Sequence, residues 1–321
     1  MTAYAERPIS TLLLAGTLLL SSYAAVAAEA KKILPPPTRV TEHLYAWIGP
    51  HGGPTPENQG FRMNMGFVVG KDAVAVIETG YHAPMASEML QYIAKITSAP
   101  VKYVINTNSQ PDRFLGNEHF RRQGATIIAS AAEAKRMAAR AGMLIQANEG
   151  LLGLKPGIME VPNPPDRILE GNTELDLGGL KIKLMQFGAA HTPGPLVVHI
   201  PRDNAVYGGD ILYSGRLPAV IDGGNVKAWI KTFDALKQFG DAMFVPGHGN
   251  PAKLSAFEFS TRQYLVALRD HMAKAVELGK DSQDAIASLD QSRFSKLANY
   301  EELAVRNAGF AYLEAEAESF K

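Results

Sequence analysis

Cysteine is absent from all 321 residues. Its absence excludes disulfides, thiolate metal ligands and a lipid-modified cysteine. Any metal ion would have to be held by imidazole, carboxylate or amide groups. An excess of charge is missing too: 32 Lys and Arg balance 32 Asp and Glu. Without basic runs, nothing in the chain suggests a nucleic acid or an anionic membrane surface as partner. After residue 30 no stretch approaches eighteen uninterrupted apolar residues, so no stable membrane association is expected once the N-terminal segment is removed. Internal repeats and low-complexity tracts are also lacking.

What is present is an ordinary globular composition, 46% hydrophobic and 20% charged with 29 glycines. It suffices for one large domain or two small ones. Residues 1–30 read as a signal peptide. The apolar run ISTLLLAGTLLLSSYAAVA ends in small residues, and Ala25-Val26-Ala27 offers a cleavage site, with alternatives out to Ala30. Only Arg7 and the amino terminus are positive ahead of that run, and Glu6 opposes them, so an uncleaved anchor is the competing reading. Export combined with the lack of cysteine points to a bacterial periplasmic protein.

Beyond the stiff ILPPP run (33–37), β-branched and aromatic runs predict strands at 39–49, 62–70 and 73–80. The Gly/Pro loop 50–60 lies between the first two, as a rim over an opening. Helical periodicity at 83–97 and 114–122 alternates with strands at 101–107 and 125–130, and a helix follows at 131–147. Residues 150–166 read as a connection without structure of its own. Strands are predicted at 173–177, 180–187, 195–201, 204–208 and 243–247, with a helix at 225–239. Residues 253–321 are helical, broken near 279–281 and 291–297. Strands followed by helices, twice over, predict a two-sheet sandwich with helices outside and a helical tail.

Four turns carry candidate chemistry. In VINTNSQPDRFLGNEHF (104–120), Asn108, Gln110 and Asp112 alternate toward one side of a strand's carboxyl end, with Arg113 following. The competing reading is a polar turn in which Asp112 caps a helix. FGAAHTPG presents His191, VYGGDILYSG presents Asp210, and FVPGHGNP presents His248. One histidine alone is more often a structural residue than a ligand, but four such turns at successive strand ends point to a site. His43, His82 and His271 read as surface or packing residues, His119 and His199 as structural. His51, in the Gly/Pro loop, is placed to reach the mouth of a cleft. The pairs Gly52-Gly53 and Gly208-Gly209 read as turns and do not resemble a phosphate loop.

In order and context these turns resemble the metallo-β-lactamase superfamily of hydrolases. The hallmark His-x-His-x-Asp-His turn corresponds to Asn108-Ser109-Gln110-Pro111-Asp112-Arg113, and LGN (115–117) resembles the helix start that follows it. HTPG (191–194), GGD (208–210) and PGHG (246–249) resemble the later motifs, and VIETG (76–80) resembles VIDTG with Glu78 in place of Asp. The resemblance spans about 38–252 and implies an αββα sandwich with its site where the two sheets' edges meet; residues 253–321 form an extension. The tail at 289–316 resembles the C-terminal helices of a periplasmic branch associated with quinoprotein dehydrogenases and sulfur oxidation.

The resemblance implies metal ligands at Asp112, His191, Asp210 and His248, with Asp112 and His248 central to catalysis. It also exposes degenerate positions: Asn108 and Gln110 replace two histidines, and Arg113 replaces a third. An amide is a poor zinc donor beside an imidazole. At most one zinc ion is therefore expected, activating water against an ester, thioester or lactam. Some lactamases of the superfamily that carry Asn and Arg at the outer two of these positions resemble single-metal enzymes, but they keep the histidine that Gln110 replaces. If Arg113 points inward, it competes with an ion for Asp112 or Asp210. The alternative function is a binding or scaffold protein that retains the cleft without catalysis. A small-molecule ligand is expected in either case, and the C-terminal helices either cover the sandwich or serve a homodimer.

Overall fold

The computed structural model describes residues 1–2 and 32–320. The expected leader and cleavage site fall on residues outside the described ones. Among the described residues no helix is long and apolar enough to cross a membrane.

Seven strands form the first sheet, in the order β1 (Thr38–Arg39), β2 (Leu44–Trp47), β3 (Met65–Val69), β4 (Val74–Ile77), β5 (Val101–Ile105), β6 (Thr126–Ser130) and β7 (Arg167–Leu169). Pairing is antiparallel through β4 and parallel from β4 to β7. Crossover helices serve the parallel part: α1 (Ala83–Ala94) joins β4 to β5, and α4 (Ala131–Leu151) joins β6 to β7. This alternation is what a parallel sheet requires. Five strands form the second sheet: β8 (Thr173–Asp176), β9 (Lys181–Gln186), β10 (Leu196–Ile200), β11 (Ala205–Tyr213) and β12 (Met243–His248). β11 and β12 run parallel, joined through α5 (Val226–Ala235).

Strand periodicity distributes the core. In β4, Ala75 and Ile77 face the second sheet and pack with Leu184, Leu196, Val198 and Tyr207. The alternate residues Val74 and Val76 face outward to Met85, Met89 and Ile93 of α1. Both faces of the strand are buried, so its sequence VAVI is continuously apolar. A third layer covers the other side, where α5, α6 (Tyr264–Glu277) and α8 (Tyr300–Ser319) pack on β11 and β12 around Trp229, Phe233, Phe244 and Leu268. The short α7 (Ser282–Ala287) lies between α6 and α8. The architecture is an αββα sandwich with added C-terminal helices, as the resemblance implied.

Several elements differ from the sequence reading: the strand expected at 39–49 is two, β1 and β2, and the helix expected at 114–122 is two short ones, Pro111–Phe114 and Asn117–Arg121. β7 falls just after the connection read as unstructured; with only three residues and two of them exposed, it gives no periodic signal. β11 continues to Tyr213 through Gly208-Gly209, which had read as a turn. Register shifts against β12 flank Gly209, whose φ is +53°, so the pair bends the strand without ending it.

Candidate functional site

The four turns meet at one edge of the sandwich, at the ends of β5 and β12, at the bend inside β11 and in the loop before β10. The hallmark turn leads from β5 into the short helix α2 (Pro111–Phe114). Gln110 holds its N-cap position with no side-chain cap, and Asp112 lies in the first turn, so Asp112 is not the cap. Asn106 and Asn117 hold the turn through paired amides, Asn106 Nδ2 also donating 2.8 Å to the Arg113 carbonyl.

Arg113 points inward and is fully buried. Its Nε donates to Asp210 Oδ2 at 3.0 Å and its Nη2 to Oδ1 at 2.6 Å, a two-pronged guanidinium–carboxylate pair. Nη1 donates to the Asn64 carbonyl at 2.8 Å, so the same cation ties the first sheet to the second. Asn108 Nδ2 adds a third bond to Asp210, 2.8 Å to Oδ2, while Asn108 Oδ1 accepts from the Gln110 amide. Any Cβ on Gly247 would collide with this carboxylate. Burial pushes the Asp210 carboxyl up, but the Arg113 guanidinium, together with His191 and the bond from Asn108, outweighs it and holds the group below the usual carboxylate range.

His248 ends β12 with its ring stacked on Tyr213, centroids 5.1 Å apart. Nδ1 lies 3.1 Å from the Arg62 carbonyl, and Nε2 lies 3.5 Å from Arg113 Nη2. The tautomer serving both carries its proton on Nδ1. Burial, then the cations Arg216, Arg113 and Arg62, hold this imidazole well below its ordinary value. His191 bonds the Ala219 carbonyl through Nδ1 at 2.7 Å, which leaves Nε2 as an acceptor, and burial lowers its pKa as well.

Asp210, His191 and His248 line a cleft of about 190 Å³ together with Arg62, Gln110, Asp112, Tyr213 and Arg216. Sequence reasoning singled out Asn108, Gln110, Asp112, Arg113, His191, Asp210 and His248, and all gather at this edge. It missed several others. Arg62 and Arg216 belong to no motif and gave no signal. Glu133 is buried in α4, where its carboxyl group accepts from Ser109 N at 2.9 Å and from Gly194 N at 2.8 Å. It clamps the hallmark turn to the loop carrying His191, and Ser130-x-x-Glu133, a capping-box spacing, was its only trace in the sequence. Behind the turn, Glu78 sits at φ +66° and accepts from Thr107 Oγ1 and, at 3.2 Å, from Thr107 N. Burial pushes its pKa up to about 8.

The tail takes part in the site. Glu302, Leu303 and Arg306 of α8 line the cleft. The segment 215–220 that bears Arg216 is held to the tail by Leu217 N donating to the Ala298 carbonyl and by Asn307, bonded to Val220 N and the Pro218 carbonyl. His51 falls short of the cleft lining and lies against Gly215. His43 pairs with Asp203 at 2.6 Å, and His82 caps α1.

The donor set does not suit a divalent cation. Both oxygens of Asp210 are taken by Arg113, and one also by Asn108; a guanidinium nitrogen stands against Nε2 of His248. An ion bridging Asp210 and His248 would have to displace a permanent cation. Among the described residues no three His, Asp or Glu side chains are grouped so as to hold a metal. The four expected ligands share a cleft without forming a coordination shell.

Comparison with known proteins gives this geometry its lineage. A family profile described as the metallo-beta-lactamase superfamily matches residues 60–248. The metallo-beta-lactamase IND-1 of Chryseobacterium indologenes is 25% identical over 237 residues, 72% of this chain and 88% of that protein. Among solved structures, a metallo-beta-lactamase from Pontibacter korlensis superposes with a TM-score of 0.58 at 20% identity, covering 72% of this chain and 98% of that one. DIM-1 metallo-beta-lactamase superposes with a TM-score of 0.55 at 17% identity, covering 73% and 98%. The structural likenesses establish the fold; the family match supports a hydrolase-type, metal-binding function at the level of the superfamily. This chain belongs to the metallo-beta-lactamase superfamily.

Proposed function

We propose that this chain is a metal-independent, ligand-binding member of its superfamily, in which a guanidinium replaces the charge of an ion at the centre of the cleft. The observation that carries this reading is the buried Arg113–Asp210 fork, closed by Asn108. With Asn108 and Gln110 at two histidine positions, the remaining imidazoles of His191 and His248 each bond protein groups. Protein purified without chelator is expected to carry well under one zinc per chain and to give no calorimetric zinc binding. Asn108→His with Gln110→His should gain little, and adding Arg113→His should gain a metal. Tight stoichiometric zinc in the native chain overturns the proposal, as does hydrolysis of an activated ester or lactam that chelation abolishes and zinc restores.

The second reading is a mononuclear zinc hydrolase acting on an ester, thioester or lactam, with Asp112 and His248 as its catalytic pair. One observation favours it: Asp112 faces the cleft and stays 3.7 Å from Arg113 Nε, outside the fork. It requires Arg113 to leave Asp210. Either reading is set in the bacterial periplasm on the strength of the leader sequence. Mass spectrometry of periplasmic material tests this, a mature start between Ala28 and Lys31 being expected and an intact membrane-held chain contradicting it.

A further inference from the structure

Arg113 has all the carboxylate it needs, but two other arginines at the cleft do not. Arg216 is 1% exposed, and its Nε donates to the Leu217 carbonyl at 3.2 Å. Its Nη1 lies 3.3 Å from His248 Nδ1, the atom that carries a proton when His248 serves the Arg62 carbonyl and Arg113. Among the described residues Arg216 forms no ion pair, and its plane lies over the Tyr213 ring at 5.7 Å. Arg62, half-buried, carries a buried Nε with no hydrogen-bond partner. Burial lowers its pKa, but Asp112, Tyr81 and Tyr213 outweigh that cost and hold it above the ordinary value, Tyr81 also through a hydrogen bond. Yet no ion pair closes between Arg62 and Asp112. Both guanidinium groups line the same cleft.

A fully buried cation without a paired carboxylate is costly, as at Arg216, whose pKa burial lowers, and repulsion from Arg62 adds to that cost. An anionic ligand removes both costs. We propose that the cleft binds a small monocarboxylate, its carboxylate between Arg62 and Arg216 and its apolar body against Ala219, Ile221 and Leu303. The proposal rests on the metal-independent reading, since an ion at Asp210 would reorganise the same wall.

Charge and size select this class. Arg62, Arg216 and Arg306 at the wall, with Arg113 behind it, face Asp112, Asp210 and Glu302. With both histidines neutral, one positive charge is in excess, which matches a monoanion better than a divalent phosphate. A volume of about 190 Å³ equals about six waters, well below a drug-sized site. A planar two-oxygen anion also matches the donor fork of a guanidinium.

The test is calorimetry on the mature chain purified without added metal. Isobutyrate and benzoate are titrated against isobutyramide and benzamide, with inorganic phosphate as the competing anion. Both acids are expected to bind, their amides at least tenfold more weakly. Arg62→Gln and Arg216→Gln should each weaken acid binding by about tenfold or more. Arg216 is buried, so if Arg216→Gln loses its fold by circular dichroism, Arg62→Gln decides alone. Equal binding of acid and amide, tighter binding of phosphate than of either acid, or an unchanged affinity in Arg62→Gln overturns the proposal. Zinc is measured on the same samples. Stoichiometric zinc sinks the metal-independent reading, whereas neither zinc nor acid binding sinks the carboxylate site alone.

Discussion

The two walls of the cleft treat charge in opposite ways. On the wall built from the hallmark turn, the central charges and amides are matched: Arg113 with Asp210 and the Asn64 carbonyl, Asn108 with Asp210, Asn106 with Asn117. Asp112 and the Ser109 hydroxyl stay outside that network. On the wall running from Arg62 through Arg216 to the tail, among the described residues, the guanidinium groups close no ion pair and Arg62 Nε has no hydrogen-bond partner. A matched buried network specifies structure, because each member is held by several others and nothing is left for a ligand. An unmatched one can be completed only from outside. The ancestral site and the useful site of this cleft are therefore neighbours rather than the same atoms.

The largest expected effect breaks the matched wall. Arg113→Met leaves the buried Asp210 carboxylate with the Asn108 amide as its remaining side-chain hydrogen-bond donor, and should cost about 3–5 kcal/mol in urea unfolding. Arg113→Met with Asp210→Asn removes both charges and should recover most of that loss. If Arg113→Met costs under about 1 kcal/mol, the pair does not hold the sheets together, and Asp210 is available to an ion after all.

Glu78 supplies the next effect. Its folded pKa of about 8 lies above the unfolded value of 4.5, so the folded state holds the extra proton between those two values. The stability this gives is complete below about pH 4.5 and is lost as pH rises through about 8. The full swing is at most roughly 5 kcal/mol. Glu78→Gln should flatten unfolding free energy against pH across that window. The slope persisting in Glu78→Gln would move its origin to another group.

A smaller loss is expected where the walls are clamped. Glu133→Ala strips acceptors from the Ser109 and Gly194 amides, both buried, at a cost of roughly 2–3 kcal/mol. Because Gly194 closes the His191 loop, acid binding should weaken as well, measured by the same calorimetry. Glu133→Gln retains one acceptor and should recover part of both losses.

How far the sequence disclosed this division depended on whether a residue's role was local. β4, β5 and β10 were legible because branched residues cluster and turn-formers bound them. The convergence of Asp112, His191, Asp210 and His248 was legible because each follows an apolar strand-like run and carries a distinctive neighbour. Arg113 was legible in identity but not in direction, since its fork depends on Asp210, nearly a hundred positions away. Arg62 and Arg216 were invisible for the same reason: an isolated arginine shows no sign of lacking a partner until the fold has placed the carboxylates. The tail read as a cover for the sandwich, yet its Asn307 holds Val220 across 87 residues, a contact no periodicity encodes.

The smallest effect tests the edge of the unmatched wall. Arg306 lies one turn beyond Glu302 on α8, exposed at the rim where water and salt screen it. A rim charge steers an approaching anion more than it holds a bound one. Arg306→Gln should leave the unfolding midpoint unchanged and lower carboxylate affinity by less than about threefold. That loss should lie in the association rate measured by stopped flow, and it should fade as salt rises from about 0.01 M to 1 M. Arg216→Gln, deep in the wall, should instead raise the dissociation rate and keep its effect in high salt. If Arg306→Gln weakens binding as much as Arg216→Gln, and salt does not matter, then the anion sits at the helix rim. The buried guanidinium groups would then belong to the matched wall's kind of structure rather than to a ligand.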